Sequence, residues 1–239
     1  MYKRQTYANL GSSTAGANDT WATNNSDRIL YGELTANYAA GDHTASLTAI
    51  ATADAKLDTG IVSLAKRLAE QADPHIRPIR TTEDEEYFVM FCDPYAFRDL
   101  SIDTAMTAAN RDARERGTNN PLFAAGDLLW DGVIIRKIPE IATFIDGSSG
   151  TNGKWGGLAT ADGLNTAEAA SGRVGVNFLC GQQALSYGMG QRPKTVVDKL
   201  HDYEFQPGVA VELKEDVQKS YFNNKQHGMV TVFTASATD

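Results

Sequence analysis

Leu57, Ile61, Leu64, Leu68 and Ala72 recur at steps of three and four residues, while Lys56, Lys66, Arg67 and Glu70 fall elsewhere. That spacing puts the apolar side chains on one face of an α-helix, predicted over residues 54–72. Asp54 supplies the N-cap, and Asp73-Pro74 ends the helix, because a proline ring disfavours helical geometry at the residue before it. The continuous apolar run Tyr87-Phe88-Val89-Met90-Phe91-Cys92 predicts a strand buried on both faces. Asp93-Pro94 then reads as a cap followed by the first helical residue, with Phe97 and Leu100 forming one apolar turn. A further helix is predicted from Thr104 to Arg116, with a thin stripe of Met106, Ala109 and Ala113 and with Gly117 at the left-handed position after it.

The remaining pattern is dominated by strands. Val133-Ile134-Ile135 is preceded by Asp131-Gly132, a hairpin dipeptide. Val174, Val176 and Phe178 alternate as a third strand. Val209, Val211 and Leu213 alternate against Glu212 and Lys214, which predicts a half-exposed strand. Met229 to Thr234 is apolar on both faces and belongs inside a sheet. The order of elements gives a mixed α/β chain of the α+β class. Two long stretches carry little apolar pattern. Gly11 to Ser26 reads as a loop or arm whose order must come from a partner, with Trp21 its one large apolar anchor. Asp146 to Gly172 is rich in Gly, Ser, Thr, Asn and Ala, and connections of that length are usually functional or ordered by a partner. Thr35 to Ala53 shows no firm period.

Composition narrows the function. The 239 residues are 42% hydrophobic and 22% charged, ordinary values for a globular chain with a real core. No apolar run approaches the ~20 residues that cross a bilayer, so no membrane partner is expected. Thirty acidic against 22 basic residues give a net charge of −8, which disfavours sequence-independent binding to phosphates. Cys92 and Cys180 each end an apolar run and are expected to be buried, reduced thiols.

The search for chemistry returns little. Gly147 to Trp155 has the look of a phosphate loop, but Ser148 stands where the first glycine belongs and Trp155 where the metal-binding Ser or Thr belongs. Gly188-Met189-Gly190 lacks the third glycine of a dinucleotide fingerprint, and Pro193 blocks the helix that should follow. His43, His75, His201 and His227 are far apart, with no ligand at metal-binding spacing. Asp84, Glu85 and Glu86 are consecutive, so their carboxylates splay apart. Arg111, Arg114 and Arg116 are interleaved with Asp112 and Glu115, as on an ordinary exposed helix face. No catalytic residue, cofactor site or metal site is expected.

One ordered series of motifs says more. Tyr87 to Pro94 (YFVMFCDP), Phe97-Arg98-Asp99-Leu100, Arg116 to Phe123 (RGTNNPLF) and Asp131 to Ile135 (DGVII) resemble, in that order and spacing, the major capsid proteins of tailed bacteriophages. Arg28 to Gly32, Ile76 to Ile79, Phe178 to Leu185, Asp202-Tyr203 and Gly228 to Phe233 extend the resemblance over about residues 20 to 236. It implies a Hong Kong 97-like fold and a structural protein that forms pentamers and hexamers and closes into an icosahedral head around DNA. The implied partners are other copies of the chain, the DNA is enclosed without specific binding, and the implied location is the virion, after assembly in the bacterial cytoplasm. The family's arm, hairpin loop and long spine helix have no counterpart before Trp21. The resemblance therefore implies that residues 1–26 are a flexible segment at a truncation, in a C-terminal portion of a longer protein. Residues 27–239 would hold the axial domain, with the strands from Val209 and Met229 returning to the peripheral domain. Polar loops without chemistry then become candidate subunit contacts: Asn119, Asn120, Pro121, Leu122, Phe123 and Trp130, and in the glycine-rich span Trp155. Two rival readings remain. One is a small-molecule or nucleotide-dependent enzyme whose loop 147–157 closes over a ligand, and the other is a virion accessory module from a decoration or tail structure.

Overall fold

A computed structural model of the chain describes residues 17–40, 42–43, 45–46, 49–50, 56–81, 85–114, 128–139, 141, 173–198 and 208–236. Its centre is a mixed sheet assembled around the apolar runs. The strands are β1 (Ile29–Tyr31), β2 (Ile79–Arg80), β3 (Glu86–Cys92), β4 (Leu128–Trp130), β5 (Val133–Lys137), β6 (Arg173–Cys180) and, after four strands that lie outside this sheet, β11 (Met229–Ser236). The order is β1-β11-β6-β3-β5-β4, with β2 paired to the start of β3. β11 runs antiparallel to β6 along its whole length, from Met229 opposite Cys180 to Ser236 opposite Arg173. The β1–β11 and β3–β5 pairs are parallel.

Helices close one face. The helices are α1 (Ala17–Asn24), α2 (Thr59–Gln71), α3 (Pro94–Ile102) and α4 (Thr104–Arg114). Ile61, Val62, Ala65 and Ala69 of α2 pack with Ala96 and Leu100 of α3 and Met106 of α4 onto Leu30, Phe88, Met90, Ile135, Leu179, Val230 and Val232 of the sheet. Alternate residues of the same strands serve the other face, where Ile29, Tyr31, Phe233 and Ala235 meet Ala22 and Trp21 of α1. The second face is covered over β1 and β11, but β3, expected to be buried on both faces, is buried on one: Phe88, Met90 and Cys92 point into the helix-side core, whereas Tyr87, Val89 and Phe91 opposite them are half-buried.

Local signals explain the element ends. Asp93 is the N-cap of α3, its Oδ1 accepting from the backbone N–H groups of Tyr95 at 2.5 Å and Ala96 at 3.0 Å, with Pro94 at the first helical position. Asp131 and Gly132 take φ values of 48° and 73° in the two-residue turn between β4 and β5, as the dipeptide predicts. Helix α2 starts later than expected. Asp58, not Asp54, is its cap, accepting from Ile61 N at 2.7 Å, and Leu57 is buried but precedes the helix. An Asp four residues upstream fits the same period, so spacing alone could not choose between the two. Asp103, between α3 and α4, holds the same terminus by accepting from the hydroxyl of Thr59 at 2.8 Å and its N–H at 3.2 Å. Burial alone would raise the Asp103 pKa, but these bonds outweigh it and hold it below the usual carboxylate value.

Three further expectations are corrected. Residues 17–24, within the span read as a loop or arm, are helical, and the order comes from inside the chain. Trp21 packs edge-on to His43 at 5.7 Å between ring centroids, and its carbonyl accepts from Asn25 Nδ2 at 2.8 Å. In β6 the deepest residues are Asn177 and Leu179, on the helix side, rather than Val176 and Phe178, which are half-buried on the opposite side. Asn177 is tolerated there because its Oδ1 accepts from Asp93 N at 3.2 Å and its Nδ2 donates to Thr234 Oγ1 at 3.1 Å. The strand carrying Val209, Val211 and Leu213 is exposed on both faces rather than half-exposed, and lies outside the main sheet.

Close approach of backbones fixes two glycines. Gly181 N–H donates to Gly228 O at 2.9 Å where β6 ends and β11 begins. A Cβ on Gly228 would sit 2.3 Å from the carbonyl carbon of Gln183 and 2.4 Å from Ala184 N. The backbone must shift to admit it, so Gly228→Ala is expected to cost about 1–3 kcal/mol, read as a lowered midpoint in urea unfolding at constant slope.

Candidate assembly surfaces

The groups that could carry chemistry are spread apart. Among the described residues, no three His, Cys, Asp or Glu side chains converge on a site that could hold a metal ion. The two cysteines are free and buried. Burial pushes the Cys180 thiol up to about 11, and burial together with the charge of Asp93 raises that of Cys92 further. Both are therefore weak nucleophiles. The adjacent carboxylates do splay: Glu85 accepts from the hydroxyl of Tyr87, whereas Glu86 pairs with Arg80 at 2.7 Å. Gly188-Met189-Gly190 lies in an extended strand, not a phosphate turn. The glycine-rich span 147–157 is outside the described residues, as are Asn119, Asn120, Pro121, Leu122, Phe123 and Trp155. Trp130 is described. Its half-buried ring packs against the main core, and its indole N–H donates to Ser63 Oγ of α2 at 3.2 Å.

Sequence reading missed the polar hub at Arg28. Its guanidinium is fully buried and donates to the carbonyls of Gln226, of Asp73 at 2.9 Å and of Pro74 at 3.3 Å. It also pairs with Asp27 at 3.0 Å, which in turn holds Lys225 at 3.4 Å. Burial pushes the Asp27 pKa up, but Arg28, the Asp73 N–H and Lys225 together bring it below the ordinary value. This network ties the front of β1 to the turn after α2 and to the tight hairpin β9 (Tyr221–Phe222) and β10 (Lys225–Gln226). Only an arginine preceding three apolar residues marked it in the sequence.

The feature that stands apart from the body is a two-stranded antiparallel ribbon, β7 (Leu185–Asp198) and β8 (Gly208–Lys219). Pairing of Tyr187 with Val217, Thr195 with Val211 and Val197 with Val209 sets these side chains on one face. Register shifts on either side of Gln191 absorb extra residues in β7, so the alternation of β8 meets the same face of β7 at both ends. That face carries Leu185, Tyr187, Met189, Val197, Val209, Val211, Leu213 and Val217, all solvent-exposed, with Val209 at 70% and Val211 at 69%. The opposite face carries Ser186, Lys194, Glu212, Lys214, Asp216 and Gln218.

At its base the ribbon is fastened to the body. Ser220 N–H donates to Ala184 O at 3.2 Å, and Lys219 Nζ sits 6.0 Å from the Trp21 ring centroid and 5.3 Å from that of Tyr221. Burial pulls the Lys219 pKa from 10.5 down to about 8, with Cys180 opposing the shift. Between those values the unfolded chain keeps a proton that the folded chain has released, so this group makes stability rise with pH through that window. Lys219→Met is expected to be the more stable protein below the window and to lack that rise. Urea midpoints of both proteins, measured across the window, give the difference.

The chain belongs to the phage capsid protein family, whose pattern matches residues 11–238. Over 169 residues it is 28% identical to the major capsid protein of Pseudomonas phage KPP25, covering 68% of this chain and 41% of that protein. The chain superposes on a chain of the cyanophage Pam1 capsid asymmetric unit with a TM-score of 0.69 and 34% identity, over 96% of its own length and 60% of that chain. The capsid of Ralstonia phage GP4 shares the fold, with a TM-score of 0.55 at 18% identity, over 95% of this chain and 57% of that one. The chain thus spans less than two thirds of the length of each of these relatives.

Proposed function

We propose that this protein is the major capsid subunit of a phage head, a building element whose copies form pentamers and hexamers and close into an icosahedral shell. The observation that carries this is the family match along nearly the whole chain, together with a sheet and helices that superpose on a cyanophage capsid chain at 34% identity. That match favours a shell subunit over a ligand-closing enzyme or an accessory module. The axial-domain assignment of residues 27–239 and the Hong Kong 97-like label are part of the same proposal. So are the subunit contacts at Asn119 to Phe123, Trp130 and Trp155. A net charge of −8 suits a wall past which packaged DNA slides without specific binding. The protein's place would be the virion, after assembly in the host cytoplasm.

Electron microscopy of the purified protein tests this directly. Rings or closed shells are expected, and persistent monomers at high concentration would overturn the reading.

A further inference from the structure

We infer that the Lys219 side chain is a latch that holds the base of the β7–β8 ribbon against the body, and that a proton on its amine opens the latch. No described helix or strand of the body packs along the ribbon, so its angle is set at its base. Three ties meet there. Ser220 N–H donates to Ala184 O at 3.2 Å, and His227 N–H donates to Ser220 O at 3.0 Å. The third is Lys219, the last residue of β8, whose half-buried side chain turns back to place Nζ 6.0 Å from the Trp21 ring centroid and 5.3 Å from that of Tyr221. Of the three, only the side chain reaches α1, which is itself docked on β1 and β11 through Trp21 and Ala22.

Two forces act on the amine. The ring faces attract an ammonium, while loss of water disfavours its charge. The groups around it are the Trp21 ring from α1, the Tyr221 phenol from β9, the Cys180 thiol at the end of β6 and, across the ribbon, Leu185. Among the described residues no carboxylate offsets the lost water, and Cys180, raised to about 11, carries no charge near neutrality. The balance therefore goes against the charge, and the proton leaves near 8 instead of 10.5. A protonated Lys219 gains by swinging its amine out to water on its flexible stem, which leaves the ribbon on its two backbone bonds. A neutral one stays between the rings. Each opening restores the amine's ordinary proton affinity, so opening is favoured at lower pH and suppressed as pH rises through the window between the two values. The device works within one chain, independently of whether copies assemble.

Native-state hydrogen exchange of the purified protein near pH 7 and near pH 9 tests the inference, each rate being divided by that of the unstructured amide so that the pH dependence of the exchange chemistry cancels. The Ser220 N–H is expected to exchange faster than the Phe88 N–H, which is bonded to Gly132 O at 3.0 Å within the body, because the latch opens without unfolding the sheet. In the wild type, protection at Ser220 should rise about tenfold between the two conditions, the change produced over that span by an amine that releases its proton near 8 when closed and at 10.5 when open. Lys219→Arg stays charged throughout and should remain at the low level, and Lys219→Met should remain at the high level. As a second readout, the NMR shift of the Lys219 ε-carbon should titrate near 8. A Ser220 N–H that exchanges only as fast as that of Phe88, or a protection that changes alike in all three proteins, overturns the inference. So does an ε-carbon that titrates at the ordinary lysine value.

Discussion

Val232→Asp leaves no folded protein at ordinary temperature. Val232 is completely buried in β11, opposite Leu30 on one side and Asn177 on the other, and its side chain packs among the residues of α2, α3 and the central strands. A carboxylate there has no positive partner, and even in its neutral form it loses its water without gaining bonds to replace it, at a cost of several kcal/mol. A domain of this kind has about 5–15 kcal/mol in total, and the substitution also removes the packing of a branched side chain at the sheet centre. The expected result is loss of the cooperative thermal transition and of soluble yield. Val211→Asp is the control. Being on the exposed ribbon, it should shift stability by no more than about 0.5 kcal/mol. Equal effects from the two substitutions would show that β11 is not the interior strand described above.

Arg28→Met carries the second-largest expected loss, about 3–5 kcal/mol. Methionine fills much of the volume, but it leaves three inward-facing carbonyls, those of Gln226, Asp73 and Pro74, and the carboxylate of Asp27 without their shared donor. Arg28→Lys should recover only part of the loss, because an ammonium cannot hold the planar fork of bonds that the guanidinium makes. Denaturant midpoints rank the three proteins. Native-state hydrogen exchange adds a local test, with the largest gain in exchange expected at Ile76 and Gln226. The Ile76 N–H is bonded to Ala69 O at 2.8 Å beside the turn that Arg28 holds, and the Gln226 N–H to Asn25 Oδ1 at 2.7 Å. Unchanged exchange at these amides would mean that the hub is not what fastens the hairpin to the body.

What the sequence made legible was local. The cap at Asp93-Pro94, the turn at Asp131-Gly132 and the strands at the apolar runs of β3 and β11 each depend on neighbours within a few residues, and each formed where expected, although β3 is buried on one face and not two. Burial by distant partners was not legible in the same way. The alternation in β8 told which face is apolar but not whether anything covers it, and so the strand was expected half-exposed. In β6, alternation pointed to Val176 and Phe178, whereas the more deeply buried positions, Asn177 and Leu179, are defined by the helices that cross above them. Arg28 escaped notice because its partners lie 45 to 198 residues away. Helix α1 was hidden by its polar composition, since its stability comes from Trp21 and Ala22 docking on β1 and β11 rather than from propensity.

The position of β11 has a consequence for synthesis. The strand made last along the described chain is the one that joins β1 to β6, so a nascent polypeptide that stops short of Met229 leaves β1 without its partner and the β6 edge of the remaining sheet bare. Completion of the body therefore waits until nearly all of it has left the ribosome. Products of premature termination lack the joining strand and retain an open ladder prone to clumping.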